Sequence, residues 1–290
     1  MSLPTLNPES GFRRLRIELS YDGTNFSGWA LQPDHRTGQG VLEAALSMLA
    51  HRPVTTIVGG RTDAGVHALQ QFVHVDIPEN PPFSDIDPSK SWDDWNIPNW
   101  TYRLNRILDE DMRIHSVEQA PEHFHARFSA LERHYTYKIA DGLMTLPPLA
   151  RFDVAPWYRH LDEDLMNEVS AKLIGEKDFK AFCKFREGAT TIRTLKKFHW
   201  YRLENGYLAA DVVADAFCYS MVRNLVGAAV CIGEGRFPQE WMLDLLKNRE
   251  RVSDSYVFPG RGLTLTKILY PEDHLLLERS LQTVGRRDEE

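Results

Sequence analysis

Segments rich in β-forming residues alternate with helical segments along the sequence, and this alternation occurs once in each half of the chain. Residues 12–21 alternate polar and apolar side chains, as a half-buried strand does. The segments that follow are a helix at 40–52, strands at 54–59 and 70–77, a short helix at 102–108 and a strand at 113–119. This order places strands next to helices throughout the first half.

The second half has the same alternation without repeating the sequence. Its predicted elements are a strand at 133–140, a helix at 161–175, strands at 191–204 and 207–215, helices at 217–235 and 238–247 and a last strand at 262–270. Asn205-Gly206 between two of these strands is the strongest hairpin signal in the chain. Strands that return through hairpins and helices, twice over, predict an α+β fold with antiparallel sheets.

The length of 290 residues suits one large domain or two domains of ordinary size. We predict an N-terminal α+β domain at 1–120, a C-terminal α+β domain at 121–275 and a charged tail at 276–290. The sequence contains no run of eighteen apolar residues and does not begin with a basic region followed by an apolar one. We therefore expect a cytoplasmic protein with no membrane partner.

The three cysteines are Cys183, Cys218 and Cys231, and they form no CxxC pair. The last two lie in an apolar stretch, which is typical of buried reduced thiols. We expect neither a disulfide framework nor a zinc site.

The net charge of −7 argues against a nucleic-acid partner, because binding to phosphate requires Lys and Arg. The charge is unevenly distributed, however. Residues 76–96 hold six acidic side chains against the single Lys90. The Pro-, Ser- and Asp-rich stretch 78–96 within them indicates a surface insertion, because of its length. Arginines cluster elsewhere, at positions 13, 14, 16, 103, 106, 127 and 133. An acidic chain can still carry a basic cleft, so the composition leaves the partner open.

The glycine-rich segment GGRTDAGVHA, residues 59–68, is the first that could carry chemistry. Glycines permit a tight backbone and let a ligand approach it closely, so Asp63 would be presented rigidly between two strands, with Arg61 nearby. The structural alternative is a tight turn in which Asp63 hydrogen-bonds its own backbone.

The helix around Arg223 is apolar on nearly its whole surface. An arginine within such a helix requires an anionic partner, because burying an unpaired charge is costly. Asp63 is one candidate. The alternatives are that Arg223 reaches the surface or pairs with Asp215 or Glu234 for structure alone.

Basic and aromatic residues interleave over residues 124–139, which suits contact with phosphates beside stacked bases. Tyr135 and Tyr137 share one face of the predicted strand, and one or both could instead be core aromatics. His123 and His125 could face one side as metal ligands, but no third ligand lies at suitable spacing, so we expect no metal site.

Taken together, these segments resemble the tRNA pseudouridine synthase A family. The matching pieces, in family order over most of the chain, are YDGTNFSGW (21–29), TGQGVLEAAL (37–46), GRTDAGVHA (60–68), LNRIL (104–108), FHARFSALERHYTY (124–137), MVRN (221–224) and GLTL (262–265). The resemblance implies two RNA-recognition-like (ferredoxin-like) α+β domains that share a central antiparallel sheet. It also implies a homodimer that binds tRNA and requires no cofactor.

The resemblance also implies roles for four residues. Asp63 matches the catalytic aspartate, and Arg223 matches the arginine that pairs with it. Tyr135 matches the tyrosine that packs on the flipped uracil. Arg61 matches an arginine implicated in displacing the target base.

Further contacts to RNA are expected from His67, Arg127 and either Leu263 or Leu265, which would touch the base ring. The implied reaction is the conversion of uridine to pseudouridine at positions 38, 39 and 40 in the anticodon stem-loop of tRNA. The alternatives are a non-catalytic RNA-binding protein of the same fold and a carboxylate-dependent glycosidase, which would require a second acid at a defined distance.

Overall fold

The computed structural model describes residues 6–79, 98–142, 146–184, 190–249 and 257–288. From residue 80 onward, the predicted acidic insertion lies outside these residues. The chain divides into two compact units. Unit 1 comprises Met1–Leu131 and Ile268–Glu290, and unit 2 comprises Glu132–Lys267. This division differs from the expected ranges, because the end of the chain belongs with its beginning.

Unit 1 is a mixed α+β structure. Its elements are β1 (Phe12–Tyr21), α1 (Gly38–Ala50), β2 (Thr56–Val58), β3 (His67–Pro78), α2 (Pro98–Ile107), β4 (Met112–Gln119) and a C-terminal helix described below. Strand β1 pairs antiparallel with β3 on one side and with β4 on the other, and β2 pairs with β3. Helix α1 begins where the Thr37 side chain accepts a hydrogen bond from the Gly40 amide.

The alternation predicted for β1 is confirmed, because Leu15, Ile17 and Leu19 are fully buried at every second position. The predicted helix at 102–108 is longer and begins at Pro98.

The part of the expected charged tail (276–290) that the structure describes, residues 276–288, is instead a helix that packs on unit 1. Leu276 and Ser280 are buried along one side of it. Leu276 joins a small core cluster with Phe124 and Ala126, and the Ser280 hydroxyl lies 2.8 Å from that of Ser129. The high share of charged residues concealed this amphipathic pattern.

Unit 2 is a second mixed α+β structure. Its elements are β5 (Glu132–Asp141), β6 (Ala155–Trp157), α3 (Glu163–Lys172), β7 (Gly175–Asp178), β8 (Ile192–Arg202), β9 (Leu208–Ala214), α4 (Met221–Gly233), α5 (Gln239–Asn248) and β10 (Leu263–Leu269). The last two residues of β10 belong to unit 1. The C-terminal helix of unit 1 is α6 (Leu276–Asp288). Strands β5, β9, β8 and β7 pair in that order, all antiparallel, and β6 adds to β5 in parallel. The α+β class with mainly antiparallel pairing is confirmed.

The hairpin predicted around Asn205-Gly206 is present between β8 and β9. Gly206 adopts a φ of +82°, and the Asn205 side chain accepts a hydrogen bond from the Tyr207 amide. Helix α4 is shorter than predicted at its N-terminus. It begins after Ser220, whose φ of +59° is left-handed and interrupts the helical backbone.

The expectation of reduced thiols is wrong for two of the three cysteines. Cys183 and Cys218 are joined in a disulfide, with their Cα atoms 5.7 Å apart, whereas Cys231 is a buried free thiol. The two partners are 35 residues apart in the sequence, so spacing did not indicate the pair. Within the residues described, no helix has the length and apolar character that crossing a membrane requires.

Candidate active site

Asp63 lies in the loop between β2 and β3 of unit 1, which we call the Asp loop (residues 59–66). Burial alternates along its centre: Arg61 is exposed, Thr62 is buried and Asp63 is partly exposed. The residue between the two predicted functional side chains therefore faces the interior, while those side chains remain accessible.

A second loop, residues 22–29, follows β1 and lies against the Asp loop. The Trp29 amide donates to the Thr62 carbonyl at 3.0 Å, and the Gly65 amide donates to the Phe26 carbonyl at 3.3 Å. Within the Asp loop, the Val66 amide donates to the Asp63 carbonyl at 3.2 Å. This last bond closes a local turn through the backbone of Asp63.

Two glycines of the second loop permit this close approach. A Cβ atom on Gly23 would lie 2.1 Å from the Val66 carbonyl oxygen, which excludes any larger residue there without a backbone shift. A Cβ on Gly28 would lie 3.1 Å from the Thr62 carbonyl oxygen, and Gly28 also has a φ of +97°. The motifs YDGTNFSGW and GRTDAG thus fold as one interlocked structure.

Side chains from the neighbouring strands also hold the Asp loop. The Tyr21 hydroxyl lies 2.7 Å from the Thr62 hydroxyl, and both residues are buried. The Gln71 side chain accepts from the Gly60 amide at 3.2 Å and donates to the Gly60 carbonyl at 2.6 Å. Sequence reasoning missed Tyr21, Thr62 and Gln71 as supports of the loop; the only signal was their position within or beside the motifs.

His67, a predicted RNA contact, is buried at the start of β3. Its Nδ1 accepts a hydrogen bond from the Gly23 amide at 3.0 Å and lies 3.1 Å from an Asp22 carboxylate oxygen. The observed contacts of this nitrogen are therefore with the loop that follows β1.

In unit 2, the two tyrosines of β5 lie on the same buried face, as predicted. Tyr137 is fully buried, its hydroxyl donates to the Pro259 carbonyl at 2.6 Å, and burial raises its pKa. Tyr137 is thus a core aromatic. Tyr135 is 7% exposed and packs edge-on against Phe217, with the ring centroids 5.3 Å apart.

Arg223 is the third residue of α4 and its side chain is partly exposed. Its Nε donates to the Phe258 carbonyl at 2.6 Å. Both carboxylates considered as structural partners of Arg223 have other contacts. Asp215 accepts from the backbone amides of Thr194 and Ala216.

Glu234, the other carboxylate considered as a partner of Arg223, is held by three side chains. It accepts from the indole of Trp157 at 3.2 Å and lies 3.6 Å from Arg159 and 3.2 Å from Arg236. Glu234 thus has one indole and two guanidinium partners of its own.

The other predicted contacts lie on several elements. Arg127 in unit 1 is partly exposed, with its guanidinium 5.6 Å from the centre of the Phe128 ring. Leu263 and Leu265 on β10 of unit 2 are both buried. The Nδ1 atom of His125 accepts from the Phe128 amide. No group of three potential metal ligands occurs among the residues that the structure describes.

Comparison with known proteins places these residues in a family. Residues 169–271 match the family described as tRNA pseudouridine synthase. The protein named tRNA pseudouridine synthase A of Frankia casuarinae is 46% identical over 271 residues, which cover 93% of this chain and 94% of that one. The proteins of the same name from Cutibacterium acnes and Streptomyces griseus are 45% and 46% identical, and each match covers 94% of this chain and 95% and 94% of theirs. The chain belongs to the tRNA pseudouridine synthase A family.

Proposed function

We propose that this protein isomerises uridine to pseudouridine in tRNA, at positions 38, 39 and 40 of the anticodon stem-loop, with Asp63 as its catalytic carboxylate. The observation that carries the proposal is the identity of 45–46% to proteins named tRNA pseudouridine synthase A over 93–94% of the chain. The rigid backbone around Asp63 supports it, because a catalytic group must be held in a productive geometry.

The reaction breaks the bond from C1′ of the ribose to N1 of uracil and forms a bond from C1′ to C5. The hydrogen on C5 is lost to solvent, and N1 ends with a hydrogen of its own. Bonds are exchanged without a change in oxidation state, so the isomerisation requires no cofactor.

Asp63 acts in this reaction as a carboxylate, and burial penalises the charged form of such a group unless a cation stabilises it. We assign that role to Arg223. Its guanidinium is always charged, and its fixed donors both attract a carboxylate and orient it.

The target base must leave its stack before it can react, at a cost of a few kcal/mol. Tyr135 offsets part of this cost by stacking on the uracil, which contributes about 1–3 kcal/mol per base. Arg61, exposed beside Asp63, helps to displace the base. Arg127 and His67 contact RNA, and Leu263 or Leu265 provides an apolar contact to the ring.

The proposal extends to the architecture carried over from the family. The protein acts in the cytoplasm as a homodimer, and its N-terminal domain carries the Asp loop while its C-terminal domain carries the Tyr and Arg motifs. Both domains have a ferredoxin-like topology. Sedimentation analysis at micromolar protein checks the dimer, and a monomer at that concentration would contradict it.

Release of tritium from C5-labelled uridine in unmodified tRNA tests the catalytic assignment. Asp63→Asn is expected to abolish release while tRNA binding persists. The matched control is Asp109→Asn, which removes an exposed carboxylate of unit 1 that pairs with Arg36, and it should release tritium at the unaltered rate.

The outcomes separate the possible functions. Substantial activity of the Asp63→Asn variant would remove Asp63 from catalysis. If the unaltered protein binds tRNA but releases no tritium, it is a non-catalytic RNA-binding protein. Free uracil in the product would instead indicate a glycosidase.

A further inference from the structure

The Asp loop is held from the interior at two points that flank Arg61. Gln71 grips the peptide of Gly60 through both its amide oxygen and its amide nitrogen. Tyr21, the last residue of β1, meets the side chain of Thr62 at 2.7 Å. Gln71 lies on β3, so both supporting side chains come from strands rather than from loops.

The contacts of Gln71 and Tyr21 hold different parts of the Asp loop. Gln71 holds the backbone, and the Trp29 amide also holds the backbone at the Thr62 carbonyl. The contact with Tyr21 is different, because it fixes the direction of a side chain immediately before Asp63. Thr62 is 7% exposed and Asp63 is partly exposed, so a buried, hydrogen-bonded residue anchors the backbone from which the carboxylate extends.

We propose that Tyr21 is a positioning residue for catalysis: its hydroxyl, bonded to that of Thr62, sets the orientation from which Asp63 meets the uridine. The inference rests on the proposed function of Asp63. Tyr21 acts through Thr62 and is not itself assigned any contact with the substrate.

The residues around Tyr21 keep its hydroxyl next to that of Thr62. Its side chain packs between the rings of Phe26 and Trp29, with centroids 6.0 and 5.7 Å away, so the phenol ring has little freedom to move. Burial raises the pKa of Tyr21 to about 12. The phenol therefore keeps its proton at neutral pH, and the pair of hydroxyls always contains a donor.

Loss of this contact should affect turnover more than binding. The Tyr21 hydroxyl also forms a side-chain hydrogen bond with Gln71. A Tyr21→Phe variant loses both hydroxyl contacts but keeps the backbone bond from Trp29 and the groups with which Gln71 bonds Gly60, so the loop stays attached while the Asp63 peptide gains freedom. A misplacement of about 1 Å at a catalytic group can reduce a rate by about a hundredfold. The surfaces that contact tRNA elsewhere are unchanged by the substitution.

The experiment compares Tyr21→Phe, Thr62→Val, the double variant and Thr62→Ser in the tritium-release assay, with Tm measured for each. We expect both single variants to reduce kcat by about ten- to a hundredfold and to leave KM for tRNA within about twofold. The double variant should be no slower than Tyr21→Phe alone, since Tyr21→Phe already removes the bond to Thr62 together with the hydroxyl contact with Gln71. Thr62→Ser retains the hydroxyl and should recover most of the kcat.

Ser280→Ala is the matched control, because it removes another buried hydroxyl–hydroxyl contact of unit 1, that with Ser129. It should lower Tm as much as Tyr21→Phe does and leave kcat unchanged. An unaltered kcat in Tyr21→Phe, additive losses in the double variant or a Thr62→Ser variant as slow as Thr62→Val would each overturn the proposal.

The Asp63→Asn variant separates this proposal from the proposed function. If Asp63→Asn is itself active, the proposed function fails. If Asp63→Asn is inactive and Tyr21→Phe has a normal kcat, only the positioning role fails.

Discussion

Arg223 illustrates how a single side chain can be constrained without being buried. Its Nε is committed to the Phe258 carbonyl, which limits the directions open to the rest of the guanidinium. Because α4 is otherwise buried along almost its whole length, the helix itself cannot shift to accommodate a new partner. The group is therefore suited to meeting an anion at one fixed place.

We predict that Arg223→Met reduces kcat by about a hundredfold or more, as loss of one electrostatic contact in an active site does. Methionine preserves much of the apolar stem, so the Tm should change by only a few degrees. Tritium release and thermal unfolding measure the two effects. Arg159→Met, which removes an arginine near Glu234 in the same unit, provides the comparison and should turn over normally; equal rates for the two variants would remove Arg223 from the site.

The sequence placed Tyr135 and Tyr137 on one strand face but did not show which of them has a core role. Both were predicted on one strand face, and both are buried there. The hydroxyl of Tyr137 is used within the core by Pro259, a residue more than a hundred positions away. A contact at that separation produces no periodic pattern in the sequence. The alternation alone therefore could not distinguish the core tyrosine from the one predicted to contact the base.

At the scale of elements, the interlock of the second loop with the Asp loop depends on the absence of a side chain at Gly23. We predict that Gly23→Ala strongly lowers both the Tm and tritium release, because its Cβ would lie 2.1 Å from a backbone oxygen that has no flexible side chain to move. Gly285→Ala is the control: nothing lies within 4 Å of its Cβ position in α6, and alanine favours a helix.

The Gly285→Ala variant should therefore unfold at the same temperature as the unaltered protein or slightly above it. If Gly23→Ala matches it in both Tm and turnover, the two loops are not interlocked in the way described.

Sequence periodicity recovered the long elements and missed the short ones. Strand β1 and the β8–β9 hairpin were predicted because alternation over many residues and an Asn-Gly turn are local signals. Strands β6 and β7, of three and four residues, are too short to show a period. Helix α6 was missed because the residues that bury it, such as Ser129 against Ser280, come from elsewhere in the chain.

The candidate site was predicted more completely than its supports. Asp63 and Arg223 were identified from family motifs, since chemistry restricts which residue types can act. Tyr21 and Gln71 were not, because a tyrosine or a glutamine at a strand end has many ordinary roles. Only the fold brings them to Thr62 and Gly60.

At the scale of the whole molecule, His74 links the stability of unit 1 to pH. Its Nδ1 accepts from the Ala126 amide at 3.0 Å, and burial, assisted by the charge of Arg14 and by His125, holds its pKa well below 6.5. The unfolded chain takes up a proton at His74 below about pH 6.5, whereas the folded chain does not. The free energy of unfolding should therefore fall as the pH is lowered below that value.

We predict that this loss reaches at most about 1.4 kcal/mol per pH unit from His74, and that His74→Asn makes the dependence shallower between pH 6.5 and 5. Asparagine offers an acceptor for the Ala126 amide but takes up no proton. Urea unfolding at several pH values measures the slopes. Parallel slopes for the variant and the unaltered protein would show that His74 is not responsible.

Unit 1 is built from both ends of the chain, with unit 2 lying between them in sequence. Phe124 and Ala126 complete their packing against Leu276, a residue separated from them by the whole of unit 2. The ribosome thus finishes unit 2 before it has made the last part of unit 1. During translation, the amino-terminal part of unit 1, which carries Asp63, lacks the packing of α6 until that helix emerges from the exit tunnel. A message cut short near its end would therefore impair the half of the protein that was synthesised first.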